Sequence, residues 1–242
     1  MPGTGTWPFG TLPPMGGFAL YLAFMIPPLV IGLAVQAWLK RTFAKYSQVE
    51  IGSGIRGAQV ARRILEQNGL GQVPVEVSPG GPLSDHYDPR KKALFLSEPV
   101  YNPPSIAAAA VAAHETGHAL QDARGYVPLK IRSAMYPAVA FASTAWIWLL
   151  VIGAVLNALN LVALALLLYG VAVLFHVVTL PVEFNASRRA STQLVELGIV
   201  GPSEQAGVNK VLNAAALTYV AGALAALSLL LYYALIFFGS RD

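Results

Sequence analysis

Long uncharged runs of hydrophobic residues alternate with polar segments along this chain. Four such runs cover residues 17–39, 134–156, 159–182 and 214–238. As a helix, each run is long enough to cross the hydrocarbon core of a bilayer, which takes about 20 residues. The pattern predicts four transmembrane helices, of which the second and third form a tight hairpin around Asn157 and Asn160.

Two polar inserts, residues 40–133 and 183–213, separate these runs. Because a hairpin leaves the membrane surface and returns to it, both inserts are expected on the same side. Twelve of the 16 basic residues lie in the first insert and three in the second. The positive-inside rule therefore predicts cytoplasmic inserts and both chain termini outside. The expected segments are 1–39 with the first span, insert 40–133, hairpin 134–182, insert 183–213, and 214–242 with the fourth span and a short tail.

The composition narrows the class of protein further. Hydrophobic residues make up 55% of the chain and charged residues only 12%, against about 25% charged in a soluble domain. The low share of charged residues and the mean hydropathy of +0.56 together exclude a purely soluble protein and a disordered chain. The absence of cysteine excludes disulfides, thiolate zinc sites and cysteine nucleophiles. The net charge of +4 is expected of a membrane protein with basic cytoplasmic loops. We therefore expect the lipid bilayer, and no nucleic acid, as a partner. The sequence leaves open whether the chain forms homo-oligomers.

The first insert has the pattern of a small α+β unit. Apolar spacing predicts a helix over 54–67, and alternation predicts a strand over 73–77. Residues 83–87 and 93–96 are expected to form further strands. Ser105 is the predicted N-cap of a second helix over 106–122. If the strand over 93–96 lies at a sheet edge beside that helix, it could hold an extended substrate by main-chain hydrogen bonds.

The second helix carries His114, Glu115 and His118 in the pattern H-E-x-x-H. The i, i+4 spacing places both imidazoles on one face, about 6 Å apart along the axis. They can share one zinc ion at Zn–N distances of about 2.0–2.1 Å. Glu115 then lies beside the metal and can accept a proton from water. The pattern predicts a zinc-dependent hydrolase with Glu115 as its general base.

A catalytic zinc site needs a third protein ligand and an open position for water. Arg124 stands where a metzincin has its third histidine, which excludes that class. We favour Glu183, because the hairpin returns this residue to the side that holds the helix. The alternatives that the sequence leaves open are His86, His176, Asp85, Asp88, Asp122, Glu98, Glu196 and Glu204.

Three runs, residues 83–89, 112–121 and 180–190, resemble the YugP-like family of membrane-bound neutral zinc metallopeptidases. More distantly, the chain is similar to the HtpX and CAAX-prenyl membrane proteases, in which the glutamate of an E-x-x-A-D segment is the third zinc ligand. The segment that begins at Glu183 matches, except that Ser187 stands in place of the aspartate. The resemblance implies one Zn²⁺ ion held by His114, His118 and Glu183. It implies only a weaker role for Ser187 as the hydrogen-bond partner of a ligating histidine.

The fold class that follows is a mainly α integral membrane protein with four transmembrane helices. A small α+β, zincin-like cytoplasmic insert carries the HExxH helix. Arg188, Arg189 and His86 are weaker candidates for contacts to the substrate or the oxyanion, since arginines at the end of a span are typical of headgroup contacts.

The expected function is a membrane-embedded zinc endopeptidase of the gluzincin-like type, which has a glutamate as third ligand. Its substrates would be extended or misfolded polypeptides, including membrane proteins, near the cytoplasmic face. The alternative is a non-catalytic membrane adaptor or scaffold with a structural metal site. Only activity separates the two.

Overall fold

The computed structural model describes residues 15–239, with side chains from residue 18 onward. The predicted external N-terminal segment before residue 15 and the tail after residue 239 lie outside the described residues. The elements in chain order are α1 (Met15–Ser47), α2 (Gly57–Gln67), β1 (Val75–Val77), β2 (His86–Asp88), β3 (Ala93–Leu96), α3 (Glu98–Tyr101), α4 (Ile106–Ala123), α5 (Val127–Val155), α6 (Leu159–Glu196) and α7 (Pro202–Gly239).

Four of these helices, α1, α5, α6 and α7, are long and apolar enough to cross a membrane, as the sequence predicts. The described residues divide into two compact units. The apolar unit comprises residues 15–34, 132–178 and 220–239, and the mixed unit comprises residues 35–131 and 179–219. All four long helices contribute residues to both units.

In the apolar unit, α1 continues through Pro27 and Pro28. Pro28 has no N–H to donate, so the carbonyl of Phe24, four residues earlier, loses its helical partner. The Ser228 hydroxyl donates to that carbonyl at 2.6 Å. In a bilayer no water is present to replace this bond, so the hydroxyl on α7 compensates for the proline on α1.

The connection between α5 and α6 is a tight turn, as expected. Asn157 adopts the left-handed conformation with a φ of 56°, which asparagine tolerates better than most residues. The Ala158 N–H donates to the Gly153 carbonyl at 2.9 Å and closes the end of α5. A Cβ on Gly153 would lie 2.9 Å from the Val162 side chain, so the two helices meet closely here.

The mixed unit contains a three-stranded sheet in the order β1-β3-β2. The strand β3 has the predicted bounds, but it pairs with β1 in parallel and with β2 antiparallel. Residues 93–96 therefore form the central strand, and the condition for binding a substrate at this strand is not met. The edges of the sheet are β1 and β2, and of these two strands β2 contacts α4.

The helix α4 lies at the centre of the mixed unit. Ser105 caps it as predicted, with its hydroxyl accepting from the Ala108 N–H at 3.1 Å. Most of α4 is buried, and its many alanines let neighbouring elements approach its backbone closely. The core around it is formed by apolar side chains of α2, β3, α6 and α7, among them Val60, Ile64, Leu94, Leu96, Leu194, Val208 and Val211.

Candidate metal centre

Three side chains from two helices meet in the mixed unit. His114 and His118 lie on one face of α4, and Glu183 of α6 lies opposite them. One potential ligand atom from each residue lies within 4.8 Å of those of the other two, and all three residues are buried. Within the described residues, the structure thus brings together the three side chains that were predicted from the sequence as metal ligands.

The distances at this cluster suit a metal ion. Oε2 of Glu183 lies 3.2 Å from Nε2 of His114 and 3.5 Å from Nε2 of His118. Ligands about 2.0–2.1 Å from a tetrahedral zinc ion are separated by about 3.3–3.4 Å. Two imidazoles and one carboxylate are also a ligand set that zinc accepts. The residues present therefore fit one zinc ion.

Close approach of α6 to α4 brings Glu183 to the histidines. Gly117, inside the H-E-x-x-H pattern, faces the α6 backbone, and a Cβ on it would lie 2.7 Å from the Ala186 carbonyl oxygen. A side chain at this position would separate the helices. The glycine is therefore needed where α6 crosses the motif.

The other ring nitrogen of each histidine also has a polar partner. Nδ1 of His114 lies 3.1 Å from the Ser187 hydroxyl, and Nδ1 of His118 lies 3.0 Å from Oε1 of Gln121. In both residues Nε2 is the nitrogen that faces Glu183. Outer partners of this kind help to orient the rings of ligating histidines.

Glu115 is half-buried on α4 beside the three candidate ligands. Burial raises the pKa of its carboxyl to about 7, with His114 lowering it and Glu183 raising it. The backbone N–H of Tyr87, in the edge strand β2, donates to this carboxylate. The predicted general base is thus next to both the ligand cluster and the sheet edge.

The remaining candidates for the third ligand lie outside the cluster. His86 is exposed on β2, where its ring stacks on Phe95 with centroids 5.0 Å apart. Asp85 accepts hydrogen bonds from Ser97, and burial raises the pKa of its carboxyl. Asp122 accepts from the Tyr87 hydroxyl and pairs with Lys92.

The five other candidates also have placements away from the cluster. Asp88 accepts from the N–H groups of Arg90 and Lys91 in the turn after β2. Glu204 accepts from Gly52 and Gly201, and Glu196 accepts from Gln193. Glu98 begins α3, a short helix that the sequence pattern did not predict. His176 belongs to the apolar unit, near Gly222.

The two arginines after Glu183 differ in their surroundings. Arg188 is exposed. Nε of Arg189 donates to the Asn185 side-chain oxygen at 2.7 Å, and that oxygen also accepts from Gln121 at 3.0 Å. Sequence reasoning missed Gln121 and Asn185. The sequence feature that could have indicated Gln121 is its polar side chain one turn after His118 in an alanine-rich helix. For Asn185 it is a polar side chain two residues after Glu183.

Comparison with known proteins gives one family and one curated relative. The sequence model of a family described as "Putative neutral zinc metallopeptidase" matches residues 21–238. The relative is the "Putative membrane protease YugP" of Bacillus subtilis (strain 168), 48% identical over 223 residues, which cover 92% of this chain and 99% of that protein. No solved structure matches the chain significantly.

Proposed function

Because the chain belongs to the neutral zinc metallopeptidase family, we propose that it is a multi-pass membrane endopeptidase that uses one zinc ion to hydrolyse extended or misfolded polypeptides at the cytoplasmic face. The observation that carries the proposal is the buried group of His114, His118 and Glu183 with Glu115 beside it. A glutamate as third ligand makes the site gluzincin-like.

Three protein ligands occupy three of the four positions of a tetrahedral zinc ion, which is the arrangement of catalytic zinc sites. When these three residues bind zinc, the ion supplies Lewis acidity toward the scissile carbonyl and toward water. Glu115 accepts the proton of the attacking water and then donates it to the departing amine. The Tyr87 N–H, which faces Glu115, holds this carboxylate in place between the cluster and the strand.

The edge strand β2 supplies a surface for an extended substrate. It is bonded to β3 along one side, and its other side has no strand partner within residues 15–239. A peptide can add to such an edge through main-chain hydrogen bonds. Because these bonds do not depend on side chains, substrates would be selected for being unfolded rather than for a particular sequence.

Two arguments support action at the cytoplasmic face. The contacts of α4 with Glu183 join the two polar inserts in one unit, which agrees with inserts on the same side of the membrane. These inserts carry fifteen of the 16 basic residues. Short basic segments beside spans are retained in the cytoplasm.

The test is zinc content together with cleavage of an unfolded soluble protein by the full chain in detergent. Glu115→Gln should keep its zinc and lose about 10²–10⁴-fold in cleavage rate, because the amide cannot accept the proton. Glu76→Gln, on the exposed face of β1, is the matched control and should cleave like the wild type. Undiminished cleavage by Glu115→Gln would contradict the assigned role, and a zinc-loaded wild type without activity would favour the adaptor alternative.

A further inference from the structure

Gln121 is completely buried on α4, one helical turn after His118. Its side-chain oxygen lies 3.0 Å from Nδ1 of His118. Its side-chain nitrogen donates to the backbone carbonyl of Val182 at 2.8 Å and to Oδ1 of Asn185 at 3.0 Å. The two amide hydrogens and the amide oxygen therefore all have partners.

These partners fix which way the Gln121 amide points. A backbone carbonyl can only accept, so the nitrogen must face Val182 and the oxygen must face His118. The guanidinium of Arg189 can only donate, and it donates to Oδ1 of Asn185. That contact keeps the Asn185 oxygen, and not its nitrogen, toward Gln121. Two independent contacts thus give the same orientation of the amide.

We propose that Gln121 is a positioning residue that makes Nε2 of His118 the metal-binding atom, an inference that rests on the proposed zinc site. Since the Gln121 oxygen accepts, Nδ1 of His118 must carry a hydrogen. The lone pair is then left on Nε2, which lies 3.5 Å from Oε2 of Glu183. The ring is held in the tautomer and rotation that a shared ion requires.

Gln121 also connects two ligands. Val182, whose carbonyl it binds, directly precedes Glu183 on α6. One amide group therefore fixes the ring of His118 and the α6 segment that presents Glu183. His114 has no equivalent constraint, because its partner is the Ser187 hydroxyl, which can rotate and can donate or accept.

The first measurement is the zinc dissociation constant of the full chain in detergent, obtained by competition with a chelator. Gln121→Met keeps the length of the side chain without its polar atoms and should bind zinc about 10–100-fold more weakly. Ser187→Ala should lose less. Gln193→Met is the matched control, because Gln193 also bonds an asparagine, at 2.6 Å, but contacts none of the ligands. Its affinity should equal that of the wild type.

The second measurement is hydrogen exchange at the histidine ring nitrogens of the zinc-loaded chain, labelled with ¹⁵N-histidine. With four histidines in the chain, the signals of His86 and His176 can be assigned by their loss in His86→Asn and His176→Asn. Ser187→Ala changes the partner of His114 and so distinguishes His114 from His118. We expect a slowly exchanging Nδ1–H on His118 in the wild type and in Gln121→Glu, which keeps an acceptor. Binding of zinc through Nδ1 of His118 in the wild type would overturn the proposal even if Gln121→Met failed to fold.

The outcomes separate this inference from the function on which it rests. Wild-type zinc affinity in a folded Gln121→Met overturns the role of Gln121 alone. A wild type that binds no zinc overturns both proposals. A third outcome is that the wild type binds zinc, that Gln121→Met binds it more weakly, and that neither protein cleaves the substrate. This outcome upholds the positioning role of Gln121 and contradicts the peptidase function.

Discussion

Gly117 of α4 lies against the backbone carbonyl of Ala186 on α6, so closely that a Cβ would come within 2.7 Å of the oxygen. We predict that Gly117→Ala pushes α6 away from α4 and displaces Glu183. The cost in unfolding free energy should be about 1–3 kcal/mol, as for overpacked cores, with a weaker affinity for zinc. Thermal unfolding in detergent and chelator competition would measure the two effects.

Gly170→Ala is the control for this substitution. Gly170 lies inside the helix α6, as Gly117 lies inside α4, but a Cβ on Gly170 meets nothing within 4 Å, and alanine favours a helix. Its melting temperature should equal or exceed that of the wild type. An equally stable Gly117→Ala with full zinc affinity would show that the helices can separate at no cost.

Glu183 should matter for zinc as much as a histidine does. We predict that Glu183→Ala lowers the zinc content nearly as far as His118→Ala, because either change leaves two ligands. His86→Ala and His176→Ala should retain the metal, since neither residue belongs to the ligand group. The measurement is the zinc content of each purified variant. A Glu183→Ala variant with the zinc content of the wild type would refute the assignment of Glu183 as a ligand.

Binding of substrate along β2 should show the alternation of a β-ladder. In peptides that carry one ester in place of one amide, we predict a rise in KM at every second position. At these positions the ester replaces a peptide N–H group that would otherwise donate to a main-chain carbonyl of β2. Each loss should be about 0.5–1.5 kcal/mol, which is about 2- to 12-fold. Esters at the intervening positions are the internal control, and a rise without alternation would argue against strand addition.

The orientation in the membrane can be tested with reporter fusions. We predict a cytoplasmic signal for fusions after Ser133 or Asn213, since the basic residues concentrate in the two inserts. A fusion after Asp242 should report the opposite side. A cytoplasmic signal there would contradict the predicted placement of the C-terminus.

The sequence predicted those features that depend on spacing along one element. Ser105 has the side chain of an N-cap and caps α4, and His114 and His118 share a face because four residues separate them. Glu183 lies beside these histidines, as expected from a tight hairpin that returns the chain to its starting side. In each case a local pattern contains the geometry.

Features that depend on distant partners were not predicted. The order β1-β3-β2 makes the strand over 93–96 central. Its uninterrupted apolar residues are typical of a buried strand, but they do not indicate which strands lie beside it. Gln121 received no role because its partners, Val182 and Asn185, lie 61 and 64 residues further along the chain. Only the packing of α6 on α4 brings these partners to its amide.

The separation of the ligands along the chain has a consequence for biosynthesis. His114 is made 69 residues before Glu183, and both α5 and most of the apolar part of α6 are synthesised in between. A ribosome-bound chain therefore holds only two of the three candidate ligands until the hairpin has been made. If the proposed function is correct, the site is completed only when membrane insertion is well advanced, and we expect no cleavage of the nascent chain or its neighbours before then.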